Sequence, residues 1–322
     1  MSPSGPLADR EIMRLVAELY YERDLRQPEV AAVTGFSVSK VSRLLSAARE
    51  QGIVHISVEP PTEERPAVAE ELERRFGLLV RITPGQQRDP AQAGRVAGLG
   101  AADHVVPWLP ETGTIGIASG YTMAALVSAL PRLHLPDLVI VPVVGGWDTQ
   151  NPFLDGNEAA RRMAERLGAQ SRTLHAPAIL DTPEMKDALL REPTVAATTS
   201  TWGHLDVALL GIGGQPESYP GYRTVVDRLG EASRHELRDL AVIGDLAGHF
   251  FREDGTFVDA WSSRTLAISV EELRAAERVI AVAAGAPKAV PILGALRTGI
   301  VDMLITDRPT AEAVLRLAGR PR

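Results

Sequence analysis

The sequence predicts an α/β protein in two parts: a small N-terminal all-α helix-turn-helix unit, and a large Rossmann-like unit built on a parallel sheet. Three observations carry this expectation. Residues 9–50 hold three helical patterns interrupted by a glycine turn. From residue 78 onward, short apolar runs recur without polar alternation. Amphipathic stretches separate those runs, as a parallel sheet covered on both faces requires. A length of 322 residues suits a small domain plus a large one, with expected bounds 1–60, a linker or oligomerisation helix at 61–77, and 78–322.

The composition, 45% hydrophobic and 23% charged, is that of an ordinary globular protein. No long apolar run suggests a membrane span, and the opening residues lack the basic and apolar segments of a secretory signal. There is no cysteine, which excludes disulfides and thiolate metal sites and suits a cytoplasmic location. The net charge of −7 bears on solubility rather than on nucleic-acid binding, for which a local basic face is sufficient. Arginine supplies most of the positive charge, and Lys40, Lys186 and Lys288 are the only lysines.

Residues 9–22 place Ile12, Leu15, Val16, Leu19 and Tyr20 at helical spacing, with Asp9 as N-cap. A short helix at 27–33 follows, with Pro28 in its first turn. Thr34-Gly35-Phe36 makes the turn, and Ser37 caps a third helix, VSKVSRLLSAARE. Ala31 provides the small residue where the two helices cross, and Val30, Phe36, Val41 and Leu44 provide apolar packing. The outer face of the third helix then carries Ser39, Lys40, Ser42 and Arg43, short hydroxyls and long cations of the kind that reach base edges and phosphates. With Gln27 and Ser37 they form the candidate DNA-binding set. Val54, Ile56 and Val58 alternate in a short strand that would form a wing before Pro60-Pro61.

At 62–77, Val68, Leu72 and Phe76 make a narrow apolar stripe for pairing with another chain or docking on the large unit. Beyond it, strands are expected at 78–82, 114–118, 138–144, 206–212, 278–284 and 301–306, with helices at 157–168 and 287–299 among those between. Ligands of such sheets bind beyond the carboxyl ends of the strands. The loops singled out are therefore Ser119–Thr122, Gly145–Asp148, Gly211–Gln215, Gly244–Gly248 and Gly285–Lys288. Gly120-Tyr121-Thr122 opens a helix after a strand, a place for an anion or a hydroxyl-rich ligand. Asp245 is placed to hold sugar hydroxyls, and Lys288 to neutralise an acidic group. No G-x-G-x-x-G stands in a dinucleotide-binding context, and no H-E-x-x-H metal motif occurs, so no cofactor or metal is expected. Asp206, Asp245 and His249 are the candidate bases of a rival enzyme reading, but they lack a recognisable catalytic spacing.

The segments LYYERDLRQPEVAAVTGFSVSKVSRLLSAAREQGIV, VALLGIG, VIGDLAGHFFREDG and VIAVAAGAPKAVPILGALRTGIVDMLITD resemble, in order, the conserved blocks of the SorC family of sugar-binding transcriptional regulators. The resemblance implies a non-enzymatic regulator of a sugar or polyol operon. It implies a dimer or tetramer that binds double-stranded operator DNA and takes a sugar, sugar phosphate or polyol as its effector. It also implies an effector domain of the sugar-phosphate isomerase and deaminase fold type, with contacts at Ser119, Gly120, Tyr121, Thr122, Gly145, Asp245 and Lys288. Three departures stand out. Tyr121 replaces a small hydroxyl in the family's S-W-G-T-T-[LM], Val144 replaces a polar residue before Gly145-Gly146, and Arg252 follows Phe250-Phe251 where aspartate is usual. They point to an effector that is unphosphorylated or bears an apolar portion, with Arg252 on the hairpin surface.

Overall fold

Gly35 sets the geometry of the N-terminal helices. Its φ of 72° lies in the left-handed region that a β-carbon disfavours, and it ends α2 (Gln27–Thr34) two residues before α3 (Val38–Glu50) begins. The Ser37 hydroxyl accepts the Lys40 amide at 3.2 Å, as an N-cap should. Residues 6–54, 66–85, 89–147, 151–214 and 235–319 are described in this computed structural model, and the chain divides into two units, Met1–Glu63 and Glu64–Arg322.

In the first unit α1 (Pro6–Ala17) runs into a π-helical turn at Glu18–Glu22. Met13, Val16, Ala17, Val30, Ala31, Val41, Leu45 and Ala48 form its core. The stripe on α1 is thus rotated by one residue from the expected one. Leu15 is 49% exposed, while Met13 and Ala17 face inward. The wider π turn breaks the 3.6-residue period that linked Leu15 to Leu19 in the sequence pattern. Asp9 is also not the cap: the helix starts at Pro6, and Asp9 lies within the first turn, facing the positive end of the dipole. The wing residues Ile56 and Val58 lie outside the described residues.

The second unit is organised by a seven-stranded sheet of order β1-β10-β9-β5-β2-β3-β4, in which every neighbouring pair is parallel. The strands are β1 (Leu79–Thr83), β2 (Gly113–Ile117), β3 (Leu138–Pro142), β4 (Gln170–Ser171), β5 (Val207–Gly211), β9 (Val279–Val282) and β10 (Met303–Asp307). Six of these are the six expected apolar runs; β4 is polar and too short to show a pattern. Alternate residues feed two separate cores. Ile280 and Val282 of β9 join one, and Val279 and Ala281 the other, so both faces of the sheet are dry. Helices α5 (Pro90–Val105), α6 (Tyr121–Ala129) and α7 (Gly156–Leu167) cover the first face.

On the opposite face lie α4 (Ala67–Phe76), α9 (Pro193–Thr199, just after α8, Pro183–Arg191), α10 (Val270–Ala275), α11 (Ala289–Arg297) and α12 (Arg308–Ala318). Of the two uses expected for the 62–77 stripe, α4 shows docking: Ala69 and Leu72 are buried in the core of this unit, with Val68 and Phe76 packed against it. In a second, antiparallel sheet the hairpin expected around Arg252, β7 (His249–Phe251) and β8 (Phe257–Val258), is joined by a strand the sequence pattern does not show, β6 (Gly244–Leu246). Asp245 therefore lies within a strand of a hairpin rather than after a strand of the parallel sheet. Arg252 is likewise not a free surface cation; its Nε donates to the Leu240 carbonyl at 2.8 Å.

Helices α5 and α6 cross closely because α5 has glycine at the crossing. A β-carbon on Gly98 would lie 2.3 Å from the Thr122 carbonyl oxygen. Gly98→Ala is expected to push α6 off its seat and destabilise the protein by about 1–3 kcal/mol, read as a lowered urea midpoint with an unchanged slope.

Candidate functional site

On the N-terminal unit, the buried side of α3 consists of Val41, Leu45 and Ala48, which turns Ser39, Lys40, Ser42 and Arg43 to the surface. The Lys40 ammonium stands 4.1 Å from the centre of the Phe36 ring, a cation–π contact that holds it beside the turn. Ser37 uses its hydroxyl as the cap of α3, and Gln27 is the first residue of α2, half-buried. Arg26, which the sequence reading passed over, closes a capping box with Glu29. Its amide donates to the Glu29 carboxylate at 2.7 Å, and its guanidinium pairs with the same group at 3.1 Å. The six residues singled out thus divide into an outward set on α3 and two that frame the helix starts.

On the large unit, the strand order reverses between β2 and β5. The chain steps outward from β2 through β3 to β4, then returns to the other side of β2 and proceeds through β9 to β10. A crevice at the carboxyl edge follows from such a reversal. At the end of β2, Gly120 has φ 125° and starts α6, and its amide donates to the Phe153 carbonyl at 2.9 Å. Tyr121 is held on three sides. Asn151 Nδ2 donates to its phenol at 2.6 Å, the Phe153 ring lies 6.0 Å away, and the exposed Arg95 guanidinium sits 4.9 Å from its ring. Ser119 and Thr122 flank it, both half-buried.

Beyond the end of β5, an isolated bridge from Ile212 to Leu246 brings the β6–β7 hairpin alongside. The Gly213 amide donates to the Asp245 carbonyl at 2.9 Å, and the Asp245 carboxylate accepts the Gly248 amide at 3.0 Å. After β9, Lys288 is 6% exposed, and its ammonium donates to the Ile212 carbonyl. Burial lowers this ammonium to about 8, an effect the nearby Asp245 carboxylate partly offsets. Burial pushes the Asp245 carboxyl above the usual range, against the Gly248 amide and the Lys288 charge. The structure thus brings Asp245 and Lys288 together at the ends of β5 and β9. The Ser119–Thr122 turn lies two strand spacings from β9, about 10 Å. Gly145 is different: it is buried, its amide donates to the Leu266 carbonyl at 2.9 Å, and a β-carbon there would meet the Pro177 carbonyl.

Two candidate bases have structural partners. The Asp206 carboxylate accepts the Thr114 amide at 2.6 Å at the start of β2, on the opposite edge of the sheet. His249 Nε2 meets the Ile268 carbonyl. Asp148 and Gln215 lie outside the described residues. Among the described residues, no group of three or more potential metal-ligating side chains occurs, and no helix is long and apolar enough to cross a membrane. Arg95, Asn151 and Phe153 are residues of this candidate site that the sequence pattern does not reveal. They belong to a helix and a short turn whose contact with Tyr121 depends on tertiary packing.

Comparison with known proteins fits this arrangement. The family model described as "Putative sugar-binding domain" matches residues 61–316. The sorbitol operon regulator of Klebsiella pneumoniae is 32% identical over 96% of this chain and 98% of its own length. The chain belongs to the SorC family. The crystal structure of that full-length regulator, SorC, superposes with a TM-score of 0.72 at 30% identity, covering 95% of this chain and 99% of SorC. The deoxyribonucleoside regulator of Bacillus subtilis is 28% identical over 95% of this chain and 99% of its own length. The mixed α/β fold, with its large parallel sheet and N-terminal helices, is shared with that crystal structure.

The buried Lys288 has a consequence for this SorC-family chain that titration can read. Unfolded lysine holds its proton up to about 10.5, whereas the folded ammonium releases it near 8. Between those values the unfolded state binds more protons, so stability contributed through Lys288 rises with pH. The stability of the native protein relative to Lys288→Met is expected to climb from pH 8 to 10.5, by on the order of 3 kcal/mol at most. A flat difference in chemical-denaturation midpoints would place the ammonium in water.

Proposed function

We propose that this protein is a DNA-binding transcriptional regulator whose operator affinity is set by a small carbohydrate-like metabolite bound at the carboxyl edge of the large sheet. The observation that carries the reading is the outer face of α3. Ser39, Ser42 and Arg43 are exposed together on a helix whose other side is locked into a core by Val41, Leu45 and Ala48. Such a helix, presented after a tight glycine turn, fits the major groove. Gln27 and Ser37 at the two helix starts lie where backbone phosphates would pass. On this reading residues 1–60 form the DNA-binding domain, and the effector domain of 78–322 takes the α4 helix of the 61–77 linker into its core; the protein acts in the cytoplasm as a homo-oligomer and has no catalytic role.

In the effector site, Asp245 supplies a half-buried acceptor and Lys288 a buried donor for hydroxyl groups, with Ser119, Thr122 and the turn at Gly120 on the neighbouring strand end. Gly145 contributes by letting the chain pass close to residues 177–178. The amide that would open a phosphate cradle at Gly120 already donates to Phe153, and Tyr121 occupies the next position. These features favour an uncharged, hydroxyl-rich effector with an apolar portion over a simple sugar phosphate. Effector binding would favour one arrangement of the large domains and so change the spacing of two recognition helices, a coupling typically worth about 1–3 kcal/mol.

Two measurements test this. Mobility-shift titration with DNA from the protein's own promoter is expected to show specific binding, weakened by roughly 1–3 kcal/mol in Arg43→Ala. Absence of any shift at low salt, with or without cell-extract metabolites, would remove the regulator reading. Calorimetry across polyols, nucleosides and sugar phosphates is expected to favour the uncharged compounds; tight binding of a simple sugar phosphate, lost in Lys288→Ala, would reverse the effector assignment.

A further inference from the structure

Val38 is the first residue of α3 and 45% exposed, although it is apolar. It lies outside the N-terminal core, which takes Val41, Leu45 and Ala48 from the same helix and has Leu44 and Ala47 packed against it. Helical geometry places Val38 and Ser42 one turn apart on one side of the exposed arc. Ser39 and Arg43 lie at its middle, and Lys40 lies on the far flank, drawn over Phe36. Every other fully exposed residue in the first two turns of α3 is a hydroxyl or a cation. One aliphatic side chain therefore stands at the leading end of a polar surface suited to nucleic acid.

The N-terminal residues of a recognition helix are those that approach base edges. The base feature that an aliphatic group recognises in the major groove is the C5-methyl of thymine. Valine presents two methyl groups on a β-branched stem of restricted χ1, so its apolar surface is held in place before contact is made. Serine at the same point would offer a hydrogen bond to several bases and discriminate among them less.

We propose that Val38 is a specificity-determining residue that packs on a thymine methyl in each operator half-site. This rests on the reading of α3 as the DNA-contacting helix, and the experiment separates the two. Duplexes that bind the full-length protein are selected from a random pool. Each thymine of the selected site is then replaced in turn by deoxyuridine, which lacks only the methyl.

One symmetry-related thymine position is expected to lose about fourfold in affinity per half-site on replacement, the equivalent of roughly 0.8 kcal/mol for one buried methyl. Val38→Ala should weaken binding to the thymine-containing site to a similar degree and become indifferent to deoxyuridine there. Selection with Val38→Ser should relax the base preference at that position alone. Enrichment of a defined site with indifference to every deoxyuridine would overturn the role of Val38 and leave the DNA-binding helix standing. The same holds if Val38→Ala keeps its deoxyuridine sensitivity, or changes only self-association. Failure to enrich any site would overturn both.

Discussion

The reversal of strand order between β2 and β5 is the constraint from which the large unit's chemistry follows. Parallel strands need crossovers of one hand, so stepping outward from β2 and then returning beside it places successive helices on opposite faces. The loops leaving β2 and β5 consequently diverge, and such a reversal favours a crevice between them. Ser119–Thr122 and Ile212–Gly213 stand on its rims, and Lys288 reaches in from the next strand to the Ile212 carbonyl. The antiparallel hairpin adds Asp245 from above through the Ile212–Leu246 bridge. A single topological choice thus gathers residues separated by some 170 positions.

Where a signal was local or periodic, it was legible in the sequence. The fully buried strands announce themselves because both faces of the sheet are covered, so that β3, β5 and β9 read as unbroken apolar runs. Gly35 and Ser37 mark the ends of α2 and α3 through conformations and caps that involve only their neighbours. Local patterns failed where geometry came from elsewhere. The π turn at Glu18–Glu22 breaks the helical period without leaving a mark in the composition, and so Leu15 belongs to the apolar stripe of the sequence pattern yet faces water. Asp245 looked like a strand-end loop residue because Gly-Asp-Leu-Ala-Gly suits a hairpin turn as well as a strand-helix turn.

The same division holds at the site. Lys288 and Asp245 stand out as polar residues beside apolar runs, but their proximity depends on the hairpin folding back over β5. Arg95 reaches Tyr121 because the glycines of α5 let that helix settle against α6, and Asn151 reaches it from the short turn before α7. A single sequence records that Gly98 is small, but not what lies opposite it. Family likeness supplied the positions of the candidate effector residues, and the structure supplies the reason Gly145 is small: a neighbouring backbone fills the space its side chain would need.

The bond from the Gly120 amide to the Phe153 carbonyl makes occupancy of that corner an exchange rather than an addition. A guest that claims the amide evicts Phe153, and the affinity measured is the difference between the new bond and the old one, a margin of about 1 kcal/mol or less for two neutral acceptors. Eviction would also loosen the grip of Asn151 on the tyrosine phenol, since both bonds come from one short turn. For a ligand at the proposed effector site, selectivity at that corner would lie in the displaced segment as much as in the surface that receives it.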